Sequence, residues 1–149
     1  MTNFTRRTIS KVLTPNDLGM TGSHQAGLHI PKDPRVISFF PALDENAENP
    51  DCRLEMSSEE LGATVSLRFV HYNSRLRGSG TRNEYRLTGT TRLFRDLHAV
   101  PGDEVEFDMG TNGNSSVRLL RASALKTKSN ETRELSGNWI IEERTEEIG

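Results

Sequence analysis

The chain has 149 residues, 33% of them hydrophobic and 27% charged, with a net charge of −2. This is the length of one domain able to bury a real core, and its nine aromatic residues argue against disorder. No apolar run approaches the roughly 20 residues of a membrane helix, the N-terminus lacks the apolar centre of a secretory signal, and the single cysteine, Cys52, excludes an internal disulfide or a cysteine-based zinc site. A cytoplasmic protein is the simplest expectation.

Residues 1–8 read as a loose lead-in, followed by a short β-prone piece at Ile9–Leu13. A long loop crowded with Gly, Asn, Asp, Ser and Thr then runs to Gly27, and long polar loops in compact domains are usually functional or disordered. Its specific polar groups are Asn16, Asp17, Thr21, Ser23, His24 and Gln25. A strand is expected at Gly27–Ile30. One or two helical turns follow at Arg35–Phe40, between Pro34 and Pro41. Residues 42–51 form an acidic loop, and Cys52–Met56 alternates as a strand. Ala63–Tyr72 is the clearest strand, with Val65, Leu67, Phe69 and His71 on one side.

Tyr72–Thr88, YNSRLRGSGTRNEYRLT, reads as a hairpin with a cationic tip at Arg77-Gly78-Ser79-Gly80. Leu93, Phe94 and Leu97 are at helical spacing within Thr90–Leu97. Glu104–Met109 and Ser116–Arg121 read as strands joined by a Gly- and Asn-rich turn. A polar loop spans Ser123–Ser136, a strand is expected at Gly137–Glu142, and residues 144–149 look like a tail. About seven short strands, two short helices and no βαβ alternation favour a mainly β antiparallel barrel or sandwich.

Charge is uneven. His71–Arg95 holds six arginines against one acid, while Glu131–Gly149 holds six glutamates against two arginines. Arginine outnumbers lysine 15 to 4, and its planar fork suits phosphates and base edges. The pattern fits a nucleic-acid face with an acidic back. If residues 82–88 are a strand, Arg82, Glu84 and Arg86 leave the same face. A guanidinium bonds guanine bidentately and a carboxylate accepts from cytosine N4, so this trio suits a G·C-rich sequence. The alternative is that the three pair with one another on a solvated strand.

Catalytic patterns are missing. No lysine is preceded two positions earlier by a carboxylate, as the Mg²⁺ site of restriction-type nucleases requires, and G-x-S-x-G, H-E-x-x-H and P-loop patterns are absent. His24 and His29 are weak evidence for a metal. Glu104, Glu106 and Asp108 share one strand face, read as solvated.

Leu13–Lys32, LTPNDLGMTGSHQAGLHIPK, taken with Tyr72–Thr88, resembles the N-terminal effector domain of EcoRII- and UbaLAI-type restriction endonucleases. The matching patterns are N-D-x-G-x-T-G-x-H-Q-x-G-x-x-I-P, then Y-N-S-R and T-R-N-E-x-R. They cover roughly a quarter of the chain, in the same order.

The resemblance implies a B3-like DNA-binding pseudobarrel over residues 1–143, with 144–149 as a tail or the start of a linker. It implies double-stranded DNA held by two arms, a 5′-CCWGG target, and an allosteric role toward a separate catalytic domain not present in these residues. Mg²⁺ is expected only for that domain. The fragment is expected to be monomeric and to carry no catalysis, cofactor or metal site of its own, within a prokaryotic cytoplasm.

Carried over by position, the base-reading residues are Asp17, His24, Arg82, Asn83, Glu84 and Arg86. The backbone or arm residues are Lys11, Asn16, Thr21, Ser23, Gln25, His29, Tyr72, Asn73, Arg75, Arg77 and Thr81. The family pattern has lysine where this chain has Gly80 and Tyr85, so those two contacts are lost or moved, with Arg75 and Arg77 as substitutes. A stand-alone B3-like transcriptional regulator and a small metal-dependent nuclease centred on Asp17, His24 and the clustered acids are the other readings.

Overall fold

The alternation at Ala63–Tyr72 buries Leu67, Phe69 and His71 on one side, while Ser66 and Arg68 stay on the other. Strands of this kind carry the whole architecture. The computed structural model describes residues 2–21, 27–110, 114–122, 134–136 and 139–148, with the backbone alone at 2–6, 134–136 and 143–148. In chain order the elements are β1 (Thr2–Val12), β2 (Leu28–Ile30), α1 (Pro34–Ile37), β3 (Asp51–Ser58), β4 (Ala63–Tyr72), β5 (Glu84–Thr88), α2 (Thr90–Asp96), β6 (Glu104–Gly110), β7 (Ser115–Leu120), β8 (Glu134–Ser136) and β9 (Trp139–Ile148).

One sheet runs in the order β2-β5-β4-β3-β7-β6-β1-β9-β8. Every neighbouring pair is antiparallel except β3 and β7, which meet in parallel at Ser57 and Ser116. The sheet curls until its far ends approach, and the Trp139 indole on β9 donates to the His29 carbonyl on β2 at 3.2 Å. The enclosed space holds Ile9, Leu28, Ile30, Leu67, Phe69, Leu87, Val105, Phe107 and Trp139. Helices α1 and α2 add Val36, Leu93 and Phe94 to this core. Asp33 caps α1 by accepting from the Arg35 amide at 2.9 Å, with Pro34 preset in the first turn. The result is the mainly β pseudobarrel with two short helices that was expected.

There are nine strands among the described residues against about seven expected, and strand structure is added at residues 2–8, 134–136 and 144–148. Residues 2–8, expected as a lead-in, are part of β1, and residues 144–148, expected as a tail, continue β9. These two segments pair with each other, from Thr2 opposite Ile148 to Lys11 opposite Trp139. The two segments meet through main-chain pairing, and neither shows an apolar alternation in sequence. β8 likewise forms at the end of the stretch expected as a loop.

The acids of β6 also depart from expectation. Glu104 and Glu106 are buried rather than solvated, and Arg118 on β7 donates to Glu106 at 2.7 Å. Alternation alone does not separate a solvated face from one that a neighbouring strand's arginine covers.

Asp103 joins the Pro101–Asp103 turn to the strands. Its carboxylate accepts from the amides of Val100 and Ala122, both at 3.0 Å, and from Arg121 at 3.1 Å. Burial pushes this carboxyl up, but those three donors outweigh it and hold it below the usual aspartate range. A depressed carboxylate adds stability above its unfolded value, about 3.9, that is lost as pH falls through the folded one. Asp103→Asn is therefore expected to destabilise by about 1–3 kcal/mol at neutral pH. In urea denaturation across pH, the gap from the parent chain should close toward acid.

Candidate nucleic-acid interface

The site is built on β5 and the arm before it. On β5, Glu84 and Arg86 point to one face and Tyr85 to the other, as a period of two requires. Arg82 lies just before the strand, yet its guanidinium turns onto the same face. It sits 3.7 Å above the Tyr72 ring centroid and donates through Nε to Glu84 Oε1 at 3.0 Å. Arg86 approaches the other oxygen of Glu84 at 3.6 Å. The three residues are thus paired with one another, and Glu84 is the hinge of the group. Burial pushes the Glu84 carboxyl up, but the hydrogen bond and charge of Arg82, with the charge of Arg86, hold it below the usual range.

The two guanidiniums differ. Arg86 is only 4% exposed and donates to the Gly27 carbonyl at 3.1 Å, whereas Arg82 is exposed. Arg86 therefore supports Glu84 from behind, and Arg82 presents the accessible fork. Directly opposite Arg86 on β2 stands His29, exposed, its imidazole held below its ordinary range by partial burial and then by the Arg86 charge. Gly27 makes this approach possible. Its φ is +83°, and a Cβ there would lie 2.2 Å from the Leu87 carbonyl oxygen.

The first arm divides. Lys11 and Asp17 are ion-paired with each other, and both side chains are less than one-tenth exposed. Asp17 also accepts from the Thr14 amide at 3.0 Å while its own amide donates to Thr14 Oγ1 at 3.2 Å. This reciprocal pair closes the turn. Thr21 donates to Asn16 Oδ1 at 2.8 Å and fixes the next one. Ser23, His24 and Gln25 lie outside the described residues.

In the second arm, Asn73 is a buried anchor. It exchanges bonds with Asn49 at 2.9 and 3.2 Å and donates to the Ala47 carbonyl at 2.8 Å. Ser74 Oγ accepts from the Arg82 amide at 3.1 Å, and the Arg75 amide donates to the Arg82 carbonyl at 2.8 Å, which folds the arm back on itself. A Cβ at Gly80 would lie 2.7 Å from Ser74 Oγ, so a lysine at that position would displace the hydroxyl that holds Arg82. Arg77 donates to the Asn46 carbonyl at 2.8 Å. Arg75 and Thr81 are exposed, and the Arg75 side chain has no partner among the described residues.

Tyr85 turns inward, stacked on His71 with centroids 4.1 Å apart and on Phe69 at 5.7 Å. The other lysine position of the family pattern is thus taken by a packing residue. Asn83 lies on this inner side too, with its Oδ1 2.9 Å from His71 Nε2. Three participants escaped the sequence reading. Lys32 is exposed and close enough to influence the His29 imidazole. His71 and Glu45 form the remaining pair. Only Lys32, the last residue of the first matching stretch, carried a signal that could have found it.

A family model described as restriction endonuclease EcoRII, N-terminal, matches residues 4–101. The type II restriction enzyme EcoRII of Escherichia coli is 42% identical over 81 residues, which cover 52% of this chain and 19% of that enzyme. The chain thus spans about a fifth of the length of that relative. Among solved structures, the B3 domain of the UbaLAI restriction endonuclease, crystallised with cognate DNA, superimposes with a TM-score of 0.59 at 17% identity. The likeness covers 94% of this chain and 88% of that domain, and it shows a shared fold.

Proposed function

Because this chain belongs to the family of EcoRII N-terminal domains, we propose that it is a sequence-specific reader of double-stranded DNA. In this reading it is the allosteric effector part of a type II restriction endonuclease. The observation that carries the proposal is the Arg82–Glu84–Arg86 group, turned to one face of β5 beside a cationic arm. Glu84 accepts from cytosine N4 and Arg82 bonds the guanine of a neighbouring pair. Arg86 keeps Glu84 ionised and aimed. The target is 5′-CCWGG, whose G·C pairs suit an Arg–Glu–Arg reader.

Asp17 and Lys11 serve by holding the first arm in place, and His24 makes base contacts, as the family pattern implies. His29, Lys32, Arg75 and Arg77 lie against phosphates. Cleavage belongs to a catalytic domain elsewhere in the enzyme, and Mg²⁺ serves there. Binding here shifts the activity of that domain.

Phosphate contacts leave a salt signature, because each neutralised phosphate releases counterions. The affinity of a labelled duplex should fall linearly on logarithmic axes as salt rises. Arg75→Ala and Arg77→Ala should each flatten that slope by about one. Weak binding with no salt dependence would contradict the proposal, and an unchanged slope in one variant would remove that residue from the phosphate contacts.

A further inference from the structure

Tyr72 ends β4 directly opposite Glu84, so the two side chains share the outer face of the sheet. The residue is half-buried. Its strand is paired with β3 on one side and β5 on the other. Arg68, two residues back on the same face, lies beside the Tyr72 hydroxyl and donates to Asp51 at 2.6 Å. The ring is therefore a flat platform on a well-held strand.

Arg82 rests on that platform. It precedes β5, so no ladder pairing aims its side chain. Two contacts do so instead. The guanidinium lies 3.7 Å above the Tyr72 ring centroid, and both Nε and Nη2 donate to one oxygen, Glu84 Oε1. Two donors converging on one oxygen leave the guanidinium able to tilt about it, whereas a fork on two oxygens would set its plane. The ring supplies the missing restraint, because a cation lies flat against the face of an aromatic system. Nε and Nη2 form the side edge of the guanidinium, and Glu84 takes that edge. The end edge, made by Nη1 and the second hydrogen of Nη2, has no partner among the described residues, and Arg82 is exposed.

We propose that Tyr72 is a positioning residue for sequence reading: its ring fixes the plane of the Arg82 guanidinium so that the free end edge meets guanine O6 and N7. This rests on the DNA-binding reading above. Bidentate contact with guanine needs a fork in the plane of the base, while an arginine free to tilt serves a phosphate equally well. Held by a ring on one face and a carboxylate on one edge, Arg82 has little side-chain freedom left to lose on binding. Tyr72 itself acts without touching DNA, since Arg82 covers the face of its ring.

The test uses two CCWGG duplexes, one native and one with 7-deazaguanine at the guanines of the site, which keeps O6 and the base pair but lacks N7. The parent chain, Tyr72→Phe and Tyr72→Leu are titrated with both, and urea denaturation gives the stability of each. The parent should bind the 7-deaza duplex about five- to tenfold more weakly. Tyr72→Phe keeps the ring and should keep that ratio. Tyr72→Leu should shrink the ratio by about two- to fivefold, the share of an exposed contact between a cation and a ring. A purely structural role would weaken binding to both duplexes together and leave the ratio unmoved. An unchanged ratio in Tyr72→Leu overturns the proposal, as does an equal shrinkage in Tyr72→Phe. If Tyr72→Leu fails to fold, Tyr72→Met, flexible and without a ring, takes its place. Equal binding of the two duplexes by the parent would take down the guanine reading by Arg82 and this inference together, whereas a full ratio in the parent and in Tyr72→Leu alike takes down the inference alone.

Discussion

Glu84→Ala is expected to cut discrimination between a CCWGG duplex and a scrambled one by about 1–3 kcal/mol, roughly five- to 150-fold. Affinity for unrelated DNA should hold or rise. The asymmetry follows from the pairing. Glu84 supplies the one carboxylate between Arg82 and Arg86 on the reading face. Removing it loses the acceptor for cytosine and frees Arg82 for any phosphate. Arg86 is buried and cannot reach solvent as Arg82 does, so part of the cost is stability. Glu84→Gln separates the two effects, because it keeps an acceptor and the side-chain length but removes the charge. Competition titrations with specific and random duplexes give the answer. Equal weakening toward both would mean that Glu84 holds the arm in shape without reading a base.

The second large effect is structural and lies across the barrel. Trp139→Ala is expected to destabilise by about 3–5 kcal/mol, since the ring is fully buried and packs on Phe107 at 6.3 Å. Trp139→Phe should cost less, keeping most of the apolar contact but leaving the His29 carbonyl without its donor, a loss of about 1–3 kcal/mol. That bond ties β9 to β2, and β2 carries His29 opposite Arg86. The phenylalanine variant should therefore weaken DNA binding beyond its effect on stability. Urea denaturation measures the first quantity and duplex titration below the unfolding transition measures the second. If Trp139→Phe were as stable as the parent and bound DNA equally, the closure of the sheet would not depend on this contact.

The Arg82–Glu84–Arg86 group was legible because its information is local. Arg82, Glu84 and Arg86 are spaced by two, which puts Glu84 and Arg86 on one face of β5, while Arg82, just before the strand, joins them through Tyr72 and Glu84. α2 was legible from Leu93, Phe94 and Leu97, and β4 from its alternation. What was not legible depends on distant partners. His71 sat on the apolar side of β4 and looked like a core residue, and its polar role depends on Glu45, 26 positions away. Lys11 and Asp17 looked like two DNA contacts, but a buried ion pair between them reads the same in sequence as two exposed groups. Glu104 and Glu106 were placed on the correct strand but with the wrong environment, because Arg118 covers Glu106 from β7. Residues 2–8 and the last five of β9 carry no apolar alternation in sequence, and they pair with each other through the main chain.

In the proposed function this face reads a DNA sequence and cuts nothing. A gel-shift titration of the chain with Mg²⁺ present tests it most directly, using one short duplex with CCWGG and one with the site scrambled, and examining both for cleavage. Tight binding to the first duplex is expected, with at least tenfold weaker binding to the second (about 1.4 kcal/mol) and both strands intact. Equal weak binding to the two duplexes, or cleavage of either, would contradict it.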